Sequence, residues 1–360
     1  MQFKSENNPF TLQFSYIPPQ YISRKTLTDE IVNDLKKKTP AFRGHFLTGV
    51  RGSGKSVMMA DIYNIMHGLE DWVTVDIENP ECDILDSLAR GIYRNPAMKT
   101  LFLNAKLDIS VLGLGVSVEK ANLVASNASD AVDMMLKVLK REGKKLLITI
   151  DEVTYCHEIA AFSHALSAYA RAGYEVYVLM TGLKENIKAI KNDKSLTFLY
   201  RAKEHTLEPL NTMAIIADYV KVFGVNREAA EKMAWNTKGY SFAFQVLGYL
   251  YWEALCNKAY EEIDEEDINV HYDQYLSEFV YEKIWSELPT TEKKVLRGIA
   301  DTQSHDVKTI RENISMNSSK FSVYRNRLME RGLIDGREYG KVKLVLPRFD
   351  VFIKSQEILE

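Results

Sequence analysis

Residues 45–56 contain the feature that most constrains the fold, a glycine-rich loop between a short apolar run and a helix-compatible segment. Gly49, Gly54, Lys55 and Ser56 satisfy the spacing G-x-x-x-x-G-K-[ST]. Glycines let the backbone curl around an anion without a Cβ clash. The curled N–H groups and the following helix N-terminus then direct positive dipoles towards a phosphate. The segment therefore predicts a strand, a phosphate-binding loop and a helix, in that order.

The loop also predicts which residues hold a nucleotide and its metal ion. Lys55 is expected to reach the β- and γ-phosphates of ATP, and the Ser56 hydroxyl is expected to hold Mg²⁺. A glycine-rich turn without a ligand is the alternative, and the complete motif in this context argues against it. The predicted nucleotide-binding residues are Gly49, Val50, Arg51, Gly52, Ser53, Gly54, Lys55, Ser56 and Val57.

A second segment, residues 144–152, is a continuous apolar run that ends in two carboxylates, Asp151 and Glu152. Such a run is typical of a strand that is covered on both faces in a parallel sheet. Ligands of open α/β sheets lie at the carboxyl ends of such strands. We expect Asp151 to belong to the Mg²⁺ shell and Glu152 to orient and deprotonate the attacking water. Acidic residues often open an ordinary loop, but here the pair follows the glycine-rich loop by about a hundred residues.

Two further segments complete the predicted core. Residues 174–182 form a strand that ends in Thr181, whose hydroxyl is predicted to contact the γ-phosphate or the water; an ordinary strand-to-loop threonine is the alternative. Alternation around Gly113 and Gly115 predicts a β-hairpin over residues 104–118, with a further phosphate-cradling loop as the alternative.

Composition excludes several classes. The 360 residues are 46% hydrophobic and 26% charged, close to ordinary globular usage, and the net charge of −3 favours no strongly charged partner. Cys82, Cys156 and Cys256 are too few and too scattered for a disulfide framework or a zinc site, which favours a reducing compartment. No apolar signal region and no run of ~18 to 20 apolar residues is present, so we expect a cytoplasmic protein without a membrane partner.

The C-terminal part changes character twice. From residue 209 to about 284 the pattern is helical and rich in aromatic residues, whose spacing indicates core packing. Residues 285–360 then read as three helices followed by a β-hairpin, which predicts a winged helix-turn-helix domain. This segment carries 14 lysine and arginine residues against 11 acidic ones, a net charge of +3.

The winged helix predicts double-stranded DNA as a partner, with docking of a protein as the alternative. The third helix is the element that reads DNA in such domains, and the hairpin is its wing. The candidate DNA-binding residues are Ser319, Lys320, Ser322, Arg325 and Arg327 on the helix, with Arg337 and Lys341 on the wing.

Over nearly its whole length the chain resembles the AAA+-like ATPases of the archaeal-type ATPase group, relatives of the Orc1/Cdc6 initiators. The resemblance implies an additional-strand P-loop NTPase core of three α/β/α layers (residues 1–208, with an arm over 1–25), a helical lid (209–284) and a winged helix (285–360). Besides the glycine-rich loop, it rests on Asn8-Pro9-Phe10, Pro18-Pro19, Ser23-Arg24, Leu146–Glu152, Thr181, Tyr200-Arg201-Ala202, Gly239-Tyr240-Ser241 before Gln245, and the pattern from Leu328 to Leu333.

The resemblance also implies roles for single residues. Thr181 lies at the first sensor position, and Arg201 lies where the group often keeps an arginine that touches the γ-phosphate, commonly across a subunit boundary. The implied catalytic set is thus Lys55, Glu152, Thr181 and Arg201, and the chain is expected to form a nucleotide-dependent oligomer. The second sensor arginine of the group is missing, with Lys238 as the nearest cation, which leaves the hydrolysis rate open.

Taken together, these patterns predict an ATP-binding, Mg²⁺-dependent ATPase that acts as a nucleotide-driven conformational switch and associates with DNA through its winged helix. The alternative is a signalling ATPase with slow or no turnover, whose winged helix docks a protein.

Overall fold

A computed structural model describes residues 7–13, 17–78, 83–105, 107–108, 110, 113, 123–256 and 258–359. The chain divides into two compact units. The first, here called the α/β unit, comprises Arg24–Thr48 and Lys55–Thr206. The second, here called the helical unit, comprises Met1–Ser23, Gly49–Gly54 and Leu207–Glu360.

The α/β unit is built on a five-stranded parallel sheet with the strand order β2-β5-β6-β1-β7. Its strands are β1 (Gly44–Thr48), β2 (Trp72–Ile77), β5 (Lys145–Ile150), β6 (Val176–Gly182) and β7 (Lys203–Thr206). Its helices are α1 (Lys25–Lys36), α2 (Lys55–His67), α3 (Ile84–Arg94), α4 (Pro96–Asn104), α5 (Ala128–Arg141), α6 (His157–Arg171), α7 (Lys184–Asn192) and α8 (Thr197–Tyr200). This arrangement confirms the predicted P-loop type of α/β core.

The strand order brings three carboxyl ends to one edge of the sheet. Thr48, the last residue of β1, is in register with Gly182 of β6, and Met180 of β6 is in register with Ile150 of β5. Leu147, Ile148 and Ile150 are completely buried, as expected for a strand covered on both faces. Residues that follow β1, β5 and β6 therefore start from the same edge.

The hairpin predicted over residues 104–118 lies largely outside the described residues. Within them, the short strand β3 (Leu107–Asp108) pairs in parallel with β4 (Leu123–Val124), apart from the main sheet.

The helical unit contains the remaining elements. They are α9 (Thr212–Phe223), α10 (Arg227–Thr237), α11 (Ser241–Leu255), α12 (Glu265–Leu276), α13 (Glu282–Ser286), α14 (Thr290–Asp301), α15 (Val307–Asn313), α16 (Ser318–Glu330), β8 (Ile334–Asp335), β9 (Lys343–Leu344) and α17 (Phe349–Leu359). Helices α14 to α16 are followed by the antiparallel pair β8–β9, which is the order of elements predicted for a winged helix, and the segment keeps that name below. Among the described residues, no helix is long and apolar enough to cross a membrane.

The described part of the N-terminal arm packs in the helical unit, whereas the sequence prediction grouped it with the core. Phe10 is 2% exposed, and its ring lies 5.6 Å from that of Phe223 and 5.5 Å from that of Phe244. Asn8 Nδ2 donates to the carbonyl oxygen of Tyr249 at 3.2 Å. The predicted lid and winged helix likewise share one continuous hydrophobic cluster and belong to the same compact unit.

We predict that Phe10→Ala lowers the free energy of unfolding by about 3–5 kcal/mol, because a buried ring is removed and a cavity remains. Urea unfolding followed by tryptophan fluorescence measures this change. Gln13→Ala, at an exposed position of the same arm, is the matched control and should have little effect. Neutral surface substitutions change the free energy of unfolding by at most about 0.5 kcal/mol. A change of that size for Phe10→Ala would contradict this packing of the arm.

Candidate functional site

The glycine-rich loop, residues 49–54, connects the end of β1 to the start of α2. Gly52 and Gly54 have φ angles of +75° and +88°, values that L side chains rarely adopt. The Ser53 N–H donates to the carbonyl oxygen of Val50 at 3.2 Å and closes a turn inside the loop. A Cβ on Gly49 would lie 2.7 Å from Ser53 Oγ, so a side chain at this position would force the Ser53 hydroxyl to move. The loop therefore has the curled backbone that the motif predicts.

Helix α2 begins immediately after the loop, at Lys55. This lysine is only 6% exposed, which is rare for a cation and is favourable only beside compensating polar groups. Ser56 and Val57, in the first turn, are half-buried. The Ser56 hydroxyl has no hydrogen-bond partner among the residues that the structure describes. A buried lysine and an unpartnered hydroxyl thus open the helix that the motif assigns to phosphate and Mg²⁺.

Thr181, Asp151 and Glu152 form one hydrogen-bonded network at the sheet edge. The Thr181 hydroxyl donates to Asp151 Oδ1 and accepts the Glu152 N–H at 3.0 Å. The Glu152 N–H also lies 3.1 Å from Asp151 Oδ1. Thr181 is completely buried, which fixes its hydroxyl between the two acidic residues. The structure therefore brings these three predicted site residues together within the α/β unit.

Glu152 has a backbone conformation that the sequence did not indicate. Its φ of +50° lies in the left-handed region, which costs a non-glycine residue free energy and is often found at functional sites. The bonds from its N–H to Thr181 and Asp151 hold this conformation. Its side chain is exposed at the sheet edge rather than packed in the core. The strained turn thus presents a carboxylate to solvent directly after a buried strand.

Asp76 is an additional acidic residue at this edge, which the sequence analysis missed. It lies on β2 in register with Thr149 of β5, whose hydroxyl donates to its Oδ1. Burial raises the pKa of the Asp76 carboxyl, the Thr149 bond opposes that shift, and the charges of Asp151 and Glu78 add to the rise. The sequence does contain a signal for Asp76, because it is an acidic residue one position before the end of the predicted strand over residues 72–77.

The residues present fit a Mg²⁺ ion that is bound together with a phosphate. Asp151 Oδ1 is engaged by Thr181 and by the Glu152 N–H, and no described residue donates to its Oδ2. Among the described residues, no cluster of three histidine, cysteine, aspartate or glutamate side chains could hold a metal ion alone. Mg²⁺ is usually held by one or two protein oxygens together with substrate phosphates and water. Ser56 and Asp151 are a donor set of that kind.

Arg201 lies at the C-terminal end of α8, just before β7. Its N–H donates to the carbonyl oxygen of Leu199 at the helix end, and the residue is exposed. In the part of the chain that the structure describes, its guanidinium makes no ion pair. The arginine therefore stands on the surface of the α/β unit, and its predicted contact with a γ-phosphate remains a prediction.

Lys238 is the cation nearest the position where the second sensor arginine is missing, and its ammonium group bonds to backbone carbonyls of the helical unit. Its Nζ donates to the carbonyl oxygen of Leu346 at 3.3 Å and reaches that of Leu344 at 3.5 Å. Burial lowers the pKa of this ammonium group. Lys238 therefore ties the turn before α11 to the winged helix.

The predicted DNA-binding residues fall into two groups. Ser319, Lys320 and Ser322 are exposed on the first half of α16. The other four each contact a group of the winged helix itself. Arg325 donates to the carbonyl oxygen of Gly336, and Arg327 lies 3.9 Å from a carboxylate oxygen of Glu292. Arg337 lies 2.7 Å from a carboxylate oxygen of Asp335, and Lys341 lies 2.9 Å from a carboxylate oxygen of Glu338. Arg325 joins α16 to the wing. In the other three ion pairs, the side chain of the arginine or lysine is exposed to solvent.

A family model described as Domain of unknown function (DUF8462) matches residues 278–353, which include the winged helix. No curated protein matches the chain.

Solved structures match over nearly the whole chain. The Walker-type ATPase PABY2304 of Pyrococcus abyssi matches with a TM-score of 0.63 and 16% identity, covering 92% of this chain and 96% of that one. The ORC2 protein of Aeropyrum pernix, in its ADPNP–ADP complexes, matches with a TM-score of 0.60 and 12% identity, covering 97% and 98%. The chain has the fold of these two proteins, which confirms the predicted resemblance at the level of fold.

We predict that Thr181→Val lowers the free energy of unfolding by about 1.5–3 kcal/mol, the effect of losing a hydrogen bond to a charged group. Valine has nearly the same shape, so the effect isolates the hydroxyl. Thr181→Ser keeps the hydroxyl and should stay within about 1 kcal/mol of wild type, the cost of one lost methyl group. Chemical denaturation measures both variants. Equal stability of Thr181→Val and wild type would contradict the network.

Proposed function

We propose that this protein binds ATP with Mg²⁺ and hydrolyses it at the edge of the parallel sheet. One observation carries the proposal: the buried Thr181 hydroxyl joins Asp151 to the strained Glu152 turn, at the sheet edge from which β1 leads through the glycine-rich loop to Lys55. Phosphoryl transfer requires mainly positioning and electrostatic stabilisation rather than covalent chemistry by the protein. A curled backbone, a buried lysine, a hydrogen-bonded Asp151 carboxylate and the Glu152 carboxylate on its held turn provide those functions.

Each residue has a distinct part in the proposed reaction. Lys55 neutralises charge on the β- and γ-phosphates, and the loop N–H groups bind the phosphate oxygens. The Glu152 carboxylate orients the attacking water and accepts its proton. Ser56 and Asp151 would hold Mg²⁺, which supplies positive charge to the phosphate oxygens when bound.

Thr181 and Arg201 complete the proposed machinery. The Thr181 hydroxyl holds Asp151 and the backbone of Glu152 through two hydrogen bonds. Through these bonds, a γ-phosphate or water bound beside the two acidic residues would be coupled to Thr181. We propose that the exposed Arg201 acts on the γ-phosphate of a second copy of this chain, so that ATP promotes self-association. A guanidinium supplied across a subunit boundary stabilises the charge of the transition state.

We further propose that the nucleotide controls the winged helix, with duplex DNA as its partner. Arg51, in the middle of the glycine-rich loop, lies 3.3 Å from a carboxylate oxygen of Glu287, which lies just before α14, the first helix of the winged helix. Both side chains are partly shielded, at 24% and 33% exposure. A bound phosphate competes with Glu287 for the Arg51 guanidinium, so nucleotide binding can be transmitted to the winged helix through the helical unit alone.

Docking of a protein is the second candidate for the winged helix, and the surface supplies a specific reason. Arg327, Arg337 and Lys341 each have a carboxylate partner, which lowers the positive potential offered to DNA. Val323 on α16 is 49% exposed, and Tyr339 at the tip of the wing is fully exposed. Exposed apolar side chains beside paired charges suit a protein partner as well.

We predict that Lys55→Ala abolishes ATP binding, because it removes the cation that neutralises the phosphates. Glu152→Gln should keep ATP affinity within about threefold of wild type and reduce turnover by at least about a hundredfold, the usual contribution of a general base. Calorimetry with ATP and a phosphate-release assay measure the two effects. Normal hydrolysis by Glu152→Gln would show that another group activates the water.

We predict that the wild type binds duplex DNA in a salt-dependent manner. Lys320→Ala combined with Arg327→Ala should reduce the magnitude of the negative slope of log K against log salt concentration by about 2. Fluorescence anisotropy at several salt concentrations measures the slope. Arg325 is left intact because it joins α16 to the wing. Lys221→Ala combined with Lys258→Ala, two exposed lysines outside the winged helix, is the control and should change nothing. Failure of the wild type to bind duplex DNA would favour the protein-docking candidate.

A further inference from the structure

Three consecutive carbonyl oxygens of the glycine-rich loop are hydrogen-bonded by the segment at the start of α11. Within the helical unit, the Tyr240 hydroxyl donates to the Arg51 oxygen at 2.6 Å. The Phe242 N–H donates to the Gly52 oxygen at 3.1 Å, and the Ser241 hydroxyl donates to the Ser53 oxygen at 2.8 Å. We call residues 240–242 the carbonyl clamp. Its donors lie almost two hundred residues beyond the loop, so the contact is tertiary and not a local turn.

The clamp explains a glycine that the phosphate-loop motif does not require. Gly52 occupies one of the four variable positions between Gly49 and Gly54. A Cβ at Gly52 would lie 2.1 Å from the Tyr240 hydroxyl oxygen, closer than any real contact. Gly52 therefore serves the approach of Tyr240 as well as its own φ of +75°.

The position of Tyr240 is itself fixed by its surroundings. The residue is 6% exposed, and its N–H donates to the carbonyl oxygen of Thr237 at 2.8 Å. The preceding Gly239 accepts the Leu210 N–H at 2.7 Å, and a Cβ there would meet the Leu210 oxygen at 2.7 Å. The clamp is thus a rigid donor array rather than a mobile side chain that happens to touch the loop.

The clamp bonds also determine where the N–H groups of the same peptides point. In a trans peptide, the C=O of one residue and the N–H of the next point in opposite directions. Bonds to the oxygens of Arg51 and Ser53 therefore turn the N–H groups of Gly52 and Gly54 away from the clamp. In the described part of the chain, neither N–H meets an acceptor, whereas the Ser53 N–H is used inside the loop.

We propose that Tyr240 and Ser241 are positioning residues for a bound polyphosphate, which they never touch. By holding the loop carbonyls, they preorganise the N–H groups of Gly52 and Gly54 as donors to the β-phosphate region of a nucleoside di- or triphosphate. The clamp occupies the stretch where the group of ATPases that this chain resembles keeps its second sensor arginine, and in place of a cation it supplies hydrogen bonds to the loop carbonyls. This inference rests on the proposed nucleotide function.

The test removes single oxygen atoms and measures affinity on the full-length protein. Tyr240→Phe should weaken binding of ATP and of ADP about 3- to 10-fold, and the double variant with Ser241→Ala about 10- to 100-fold, from the usual net value of one hydrogen bond each. KM for ATP should rise in parallel while kcat stays within about threefold, because the water and its base are untouched. Ser241→Thr keeps the hydroxyl and should restore the affinity.

A matched control separates positioning from general loss of stability. The Tyr281 hydroxyl donates to the carbonyl oxygen of Pro347 at 2.6 Å, also buried and in the same unit but away from the loop. Tyr281→Phe should leave nucleotide affinity unchanged. If it weakens affinity as much as Tyr240→Phe does, the effect is one of folding and the inference is wrong.

The outcomes also distinguish the inference from the function on which it rests. Normal binding of ATP by the wild type, with unchanged affinity in the double variant, would overturn the inference alone. Absence of ATP binding by the wild type would overturn the proposed function together with the inference. If the double variant does not fold, Tyr240→Phe alone decides, since it removes one atom and creates no cavity.

Discussion

A backbone loop is better prepared to bind an anion when its carbonyl oxygens are hydrogen-bonded on the side away from the anion. Each peptide carries a donor and an acceptor that point in opposite directions, so free carbonyls would let the loop rotate and turn oxygens towards the phosphate. In this protein the oxygens of Arg51, Gly52 and Ser53 are held by the carbonyl clamp. Preorganisation of this kind matters because reorientation of dipoles during binding would cost part of the electrostatic gain.

The same logic applies at the tips of the strands in the α/β unit. Two adjacent carboxylates repel each other and gain from being held by donors, because like charges in a partly buried site are costly. The Thr181 hydroxyl and the Glu152 N–H both bond to Asp151 Oδ1 and leave its other oxygen directed elsewhere. Glu152 has a left-handed backbone conformation and is exposed, whereas Asp151 is half-buried. One carboxylate is thereby suited to a cation and the other to a water molecule.

The sequence predicted those parts that depend on local patterns. The glycine spacing, the apolar run before Asp151 and the three helices of residues 285–360 each have a short-range cause, and all correspond to elements of the structure. The clamp, the network around Thr181 and the partners of Arg325 and Lys238 join residues that are far apart in sequence. Tyr240 and Phe242 looked like ordinary core aromatics, because spacing reveals burial but not the partner of a hydroxyl or an N–H. Asp76 was missed because its partner, Thr149, lies on another strand.

The absence of the second sensor arginine acquires a physical meaning in this light. An arginine at that place would be a cation able to attract a phosphate, whereas the clamp bonds to carbonyl oxygens that exist with or without a nucleotide. Lys238, the one cation near the clamp in that stretch of the described chain, is held by the carbonyls of Leu344 and Leu346. Under the proposed function, sensitivity to the nucleotide within the helical unit would then fall to Arg51, whose guanidinium is partly exposed in the loop itself. A loop with a fixed backbone and one responsive side chain separates binding from signalling, so each property can change without the other.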